Sequence, residues 1–168
     1  APDALIRRIL DGVIDLAIML DPPQLETLDA REVATLRLVL VSDRAGISID
    51  EAINETFLMV DWGLAHALEL QRTYPDMPEP RTRLANARMA IRYLREIGGS
   101  AYLPLHSVIS AIRRSRLHRV QGATMFERSV FAVYPVRSDK EALIRHSLQL
   151  FTGIAGRRKK RKSIISGS

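Results

Sequence analysis

LDGVIDLAIMLDPP, residues 10–23, sets the reading of the chain. Its centre, VIDLAIML at 13–20, is a near-continuous apolar run of the kind expected of a parallel strand buried on both faces. Asp21, Pro22 and Pro23 then break the strand. Upstream, Asp3 reads as an N-cap, and Leu5, Ile6, Ile9 and Leu10 fall on one helical face before Gly12, which predicts an amphipathic helix over 4–11. A helix running straight into a parallel strand is the second half of a βαβ unit, so the first strand is expected upstream of Ala1 and the chain reads as part of a larger protein.

Downstream, REVATLRLVLVS at 31–42 reads as a long extended segment. Ser48 and Glu51 then form a capping-box pattern for a short helix. Strand and helix alternate regularly after that: FLMVD, GLAHALELQRTY, PRTRLA, ARMAIRYLREIG, SAYLP and LHSVISAIRRSRL. MFERSVFAVYPV at 125–136 is a second long extended run, and DKEALIRHSLQLFTGI at 139–154 a last helix with Leu143, Ile144, Leu148 and Phe151 as its apolar face. The class is α/β. Two long strands bracketing a compact strand–helix repeat predict two lobes joined by two crossover strands. Residues 1–35 and 132–156 make lobe I, residues 36–131 lobe II, and 157–168 a tail.

The formal net charge of +6 has one source. Six of the 25 basic residues are the run Arg157–Lys162, and the other 19 balance the 19 acidic residues, so a basic face reading phosphates is not indicated. That run reads as a solvated, disordered end which, on DNA or an acidic membrane, adds affinity without sequence specificity. The chain has no cysteine, which excludes disulfides, thiolate catalysis and cysteine-based metal sites. No stretch approaches the ~18 apolar residues of a membrane span, and the N-terminus lacks the features of a secretory signal, so a cytoplasmic location is the default expectation.

The ordered series LDGVIDLAIMLDPP, LRLVLVSDR, FLMVDWG, GGSAYLPLHSV, RLHRV and VFAVYPVRSDKEALI resembles the effector-binding (substrate-binding) domain of LysR-type transcriptional regulators, over roughly residues 5–154. The resemblance implies a two-lobed, periplasmic-binding-protein-like fold that binds a small effector between its lobes and shifts the conformation of an oligomer. It also implies a homodimer, head to tail, or a homotetramer. Family members bind DNA through an N-terminal winged helix-turn-helix. That domain, the linker helix and the first strand of the effector domain have no counterpart in these residues, so DNA is a partner only through the absent part. The alternative is a bilobal solute-binding protein of a transport system, which shares the architecture but needs an export signal.

In bilobal α/β proteins, ligands sit beyond the carboxyl ends of parallel strands. That rule selects Leu20, Asp21 and Pro22, Asp61 and Trp62, Asn86 and Ala87, and Tyr102, Leu103 and Pro104 as effector-binding candidates. Phe131 and Tyr134 from the second crossover strand join them, with Val133 and Leu36–Leu38 as lesser candidates. Trp62 either covers an effector or packs. Asp61 selects a cationic or hydroxylated ligand or, the commoner role, caps the next helix, and Asn86 reads first as a cap. Tyr102 points into either the cleft or the core. Met19 and Met59 read first as core residues, and Asp15 as satisfying backbone donors. His66, His106, His118 and His146 are scattered and read as solvated or helix-face residues, without a metal role. No nucleophile–base constellation, dinucleotide fingerprint or phosphate loop occurs, so neither catalysis nor a cofactor is expected.

Overall fold

The computed structural model describes residues 2–151. The basic run at 157–162 and the end of the expected last helix lie outside them. The described chain divides into two compact units, residues 2–35 with 129–151 and residues 36–128. Both divisions fall inside strands, β2 (Leu28–Ser42) and β7 (Phe126–Pro135), so these two strands carry the chain from one unit into the other. The fold is α/β, of the two-lobed, periplasmic-binding-protein-like kind with two crossover strands. Because β2 and β7 belong to both units, six strands lie on one hydrogen-bonded path in the order β1 (Ala17–Met19), β7, β2, β5 (Ser100–Pro104), β3 (Phe57–Val60), β4 (Thr82–Leu84), and β6 (His118–Arg119) lies off it, paired with β2.

In unit 1, helix α1 spans Pro2–Leu10. Asp3 lies inside its first turn and is not the N-cap, and only part of the expected apolar face is covered: Ile9 is fully buried and Ile6 packs beside it, while Leu5 and Leu10 are exposed. Gly12, at φ +70°, ends the helix in the left-handed region that favours glycine. The expected strand over 13–20 shortens to β1, Ala17–Met19. It pairs antiparallel with β7, Ala17 opposite Val133 and Met19 opposite Phe131, and its middle residue Ile18 is exposed. The reading as a parallel strand buried on both faces is therefore corrected: apolarity reported burial of Ala17 and Met19, and the rest of the run, residues 13–16 and 20, forms bends and irregular backbone.

The unit 1 core consists of two aliphatic clusters. Ile9, Ala17, Met19, Leu28 and Val133 form one, and Val33, Ala132, Ile144 and Leu148 the other. The last two residues belong to helix α6, residues 141–151. Of its expected apolar face, Leu143 and Phe151 are exposed. Asp15 does not satisfy backbone donors as expected; both its carboxylate oxygens accept from Lys140 Nζ, at 2.9 and 3.0 Å.

Unit 2 follows the predicted alternation closely. Helix α2 (Ile49–Ala52) carries the full capping box, with Ser48 Oγ accepting from the Glu51 amide and Glu51 from the Ser48 amide. Strand β3 (Phe57–Val60) lies parallel to both β4 (Thr82–Leu84) and β5 (Ser100–Pro104). β5 in turn pairs antiparallel with β2, Leu38 opposite Pro104. Every residue of β5 is buried, as expected of an interior strand. Gly99 leads into it at φ +112°, and a Cβ there would stand 2.5 Å from the Thr56 carbonyl oxygen, so no larger residue fits without a backbone shift. Helices α3 (Leu64–Thr73), α4 (Ala87–Glu96) and α5 (Leu105–Arg113) follow β3, β4 and β5 in turn. The two-residue β6 (His118–Arg119), added to β2, has no sequence signal of its own.

Candidate functional site

Strands β3 and β4 run in the same direction with Val60 opposite Leu84, so their carboxyl ends coincide. The ladder extends one step further, because the Asp61 amide donates to the Leu84 carbonyl at 3.1 Å. Helix α3 starts at this edge. Beyond it lies a cavity of about 430 Å³ within unit 2, lined by Met59, Asp61, Trp62, His66, Arg83 and Leu84 among others. That is the edge where parallel-strand geometry and a helix N-terminus converge.

Each polar group here has a distinct environment. Asp61 is exposed and accepts from the Gly63 amide at 3.1 Å, holding the turn that enters α3. Gly63, and not Asp61, occupies the N-cap position of the helix, at φ +84°. Trp62 is 9% exposed. Its indole N–H donates to the Tyr102 carbonyl at 2.8 Å, and its own carbonyl accepts from Arg128 Nε at 3.0 Å, so Trp62 ties β3 to β5 and to the start of β7. Arg83 pairs with Glu79 at 2.6 Å on the exposed surface.

His66 departs most from its sequence reading. It is 2% exposed and packs edge-on against Tyr102 and Phe126, with ring centroids 5.9 and 5.1 Å away. Its Nδ1 has no hydrogen-bond partner. Burial, with the nearby Arg128 charge adding to it, pushes its pKa down to about 4, so the ring is neutral near pH 7. The signal that identifies it is the spacing to Leu70, i to i+4 on α3 and also buried.

Tyr102 lies in the core, 1% exposed. Its hydroxyl donates to the Thr124 carbonyl at 3.0 Å, which leaves it to accept from the Tyr74 hydroxyl at 2.8 Å. The Tyr74 hydroxyl accepts in turn from the Thr124 amide at 3.3 Å, closing the ring of bonds. Burial foremost, then the contact with Tyr74, raises the Tyr102 pKa.

Unit 2 therefore places Asp61 and Trp62 at the cavity and bonds the Trp62 indole to the Tyr102 backbone, while Tyr102, Leu103 and Pro104 are buried in β5 and are not part of the cavity lining. Asn86 caps α4, its side chain accepting from the Met89 amide at 3.0 Å, with Ala87 opening the helix. Leu20, Asp21 and Pro22 are half-buried in the loop after β1. Phe131 packs on the first aliphatic cluster, and the Tyr134 hydroxyl donates to Asp29 at 3.2 Å. Unit 1 holds a separate cavity of about 760 Å³, bounded by the Asp15–Lys140 pair, Ile9, Ile14, Leu28 and Pro135 among others. Among the described residues, no three His, Asp or Glu side chains gather to hold a metal ion, and no helix is long and apolar enough to cross a membrane.

The family model for the LysR substrate binding domain matches residues 1–153. No curated protein sequence matches the chain. Among solved structures, the bromide ion-bound regulatory domain of HypT from Salmonella typhimurium is similar with a TM-score of 0.75 at 11% identity, covering 90% of this chain and 79% of that one. The Synechocystis CcmR regulatory domain in complex with 2-PG gives 0.69 at 19% identity, over 90% and 78%. The regulatory domain of MetR, a LysR family regulator from N. meningitidis, gives 0.66 at 17%, over 88% and 73%. With its family model spanning the whole described structure, the chain belongs to the LysR substrate-binding-domain family, the regulatory domains of LysR-type transcriptional regulators.

Proposed function

We propose that this chain senses a small effector for a DNA-binding transcriptional regulator and works by binding, without chemistry. The observation that carries this reading is the family match over residues 1–153. The cavity at the shared end of β3 and β4, where this architecture receives ligands, supports it. So do the HypT and CcmR regulatory domains, which share the fold and hold bromide and 2-PG respectively. Candidate contacts are Asp61, Trp62, Asn86, Ala87 and Tyr102–Pro104 from unit 2, with Leu20–Pro22, Phe131 and Tyr134 from unit 1.

A ligand touched by residues of both units favours one arrangement of the regulator over another. The difference in its affinity for the two states is what shifts the oligomer. Such couplings run at ~1–3 kcal/mol. DNA contact belongs to a separate N-terminal domain, and the working assembly is a homodimer or homotetramer in the cytoplasm. A thermal-shift screen of the chain against a metabolite panel, with each compound recovered and quantified, tests the proposal. A sensor gives at least one compound that raises Tm saturably and is recovered unchanged, since a ligand of the native state alone stabilises it. Conversion of the stabilising compound, or no saturable stabiliser in a panel spanning organic acids, amines, polyols and inorganic anions, overturns it.

A further inference from the structure

Outside the basic run the 19 basic and 19 acidic residues balance, yet unit 2 distributes its charges unevenly along the chain. Residues 43–79 carry eight acidic residues against Arg44 and Arg72. Residues 97–126 carry no acidic residue, and four arginines, Arg113, Arg114, Arg116 and Arg119, fall close together within them. A sum over the whole domain hides this segregation.

The four arginines belong to one short and well-fixed turn. Helix α5 ends at Arg113 with Arg114 as its C-cap, and Ser115 reverses the chain at φ +52°. The amides of Arg114, Ser115 and Arg116 donate back to the carbonyls of Ser110, Ile112 and Ala111. Leu117 is fully buried and anchors the turn from within. β6 then sets Arg119 opposite Val41 of β2, and the Val120 amide donates to the Leu40 carbonyl at 3.0 Å. From residue 113 to 120 the exposed residues are the four arginines and Ser115. Among the described residues, none of the four guanidinium groups has an ion-pair partner.

A cation at a helix C-terminus complements the helix dipole, which accounts for Arg113 and Arg114. Arg116 and Arg119 lie beyond the helix, where that reason no longer applies. Grouping like charges on a fixed backbone costs self-repulsion, which a bound polyanion relieves. Interfaces between proteins carry apolar groups at their centre and little charge there. This turn has the reverse arrangement, with Leu117 and Val120 buried and the charges outermost. The planar guanidinium fork matches the oxygens of a phosphate group.

We propose that the turn at residues 113–119 is a phosphate-contacting surface that holds the backbone of duplex DNA in the assembled regulator. Such contacts add affinity without reading sequence, so they supplement the recognition made by a separate DNA-binding domain and do not replace it. The inference goes beyond the effector reading and stands independently of it.

The test follows binding of the full chain to a fluorescein-labelled duplex by anisotropy across a series of NaCl concentrations. The variant carrying Arg113→Gln, Arg114→Gln, Arg116→Gln and Arg119→Gln is compared with wild type. Each phosphate neutralised contributes ~0.9 to the slope of log K against log salt, so the variant is expected to lose about 2–4 of that slope, and about tenfold or more in affinity at the lowest salt. The basic run at 157–162 is present in both proteins, so the difference reports the turn. A control with the same change in charge, Arg7→Gln, Arg8→Gln, Arg31→Gln and Arg72→Gln, is expected to lose less than about 1 in slope. Equal losses in the two variants assign the effect to net charge and overturn the proposal, as does an unchanged slope in the turn variant. Poly-glutamate that competes as well as unlabelled duplex at equal charge overturns it in favour of an acidic protein partner. In wild type, DNA is expected to shift the backbone amide NMR signals of residues 113–119 saturably. Shifts confined to other residues overturn the proposal even where a variant fails to fold.

Discussion

The two units bury different chemistry. Unit 1 is held by two aliphatic clusters, and its Asp15–Lys140 pair is half-exposed. Unit 2 buries a polar and aromatic group in which Phe57, His66 and Phe126 surround Tyr102, with Tyr74 and Trp62 bonded to it. Aliphatic packing asks only for volume, so unit 1 tolerates change in proportion to the atoms removed. The unit 2 arrangement holds directed bonds in a region of low dielectric, where satisfied groups stabilise strongly and an orphaned one costs energy. His66 is that orphan, placed at the cavity.

The contrast can be broken first at Tyr102. Replacing it with Ala removes a fully buried ring and leaves the Thr124 carbonyl and the Tyr74 hydroxyl without their partner. A loss of about 3–5 kcal/mol in urea-unfolding free energy is expected. A loss below about 1 kcal/mol would mean that the Tyr102 contacts do not organise unit 2.

The next effect is pH dependence. The folded pKa of His66 is about 4 against 6.5 for a free histidine side chain, so between these values the unfolded chain holds the proton that the native chain refuses. Stability from this group is therefore fully present above about pH 6.5, falls with pH through that window, and does not fall further below about 4. Over the whole window the loss reaches at most about 3 kcal/mol. Denaturant curves at stepped pH measure it, and His66→Phe should flatten that part of the profile. A profile identical in the variant would place the acid sensitivity elsewhere.

In unit 1, Ile9→Ala should cost about 2–3 kcal/mol, the ordinary range for an aliphatic side chain in a packed cluster, with no change in the pH profile. Asn86→Ala, which removes the α4 cap, should cost about 1 kcal/mol by the same measurement. An Ile9→Ala variant that altered the acid profile as well would join the two regions that the comparison separates.

How much of this is legible in the sequence differs between the same two regions. In unit 2, local signals agree with the surroundings. The Ser48–Glu51 capping box, the Asn86 cap and the run SAYLP each contain the residues that fix their structure. In unit 1, VIDLAIML reads as a strand of eight residues and contains one of three, because apolarity reports burial and not conformation. Leu5 and Leu10 share a helical face with Ile6 and Ile9, yet the surface packed against α1 covers only the latter two, and nothing local specifies its width.

At the site, strand ends pointed to Asp61 and Trp62 at the cavity, because direction and periodicity are local properties. His66 escaped because its burial depends on Tyr102 and Phe126, distant in the chain. Only its spacing to Leu70 betrays it. The Asp15–Lys140 pair spans 125 residues of sequence and leaves no local mark at all.

Titration of Trp62 emission is the most direct measurement of sensing, since the indole lines the cavity and is the only tryptophan. Each compound that raises Tm is added to the chain at fixed concentration. A sensing domain gives a saturable change with one-to-one stoichiometry for at least one of them. Emission that stays constant for every stabilising compound, on a chain that still unfolds cooperatively, contradicts the assignment of this cavity to effector binding.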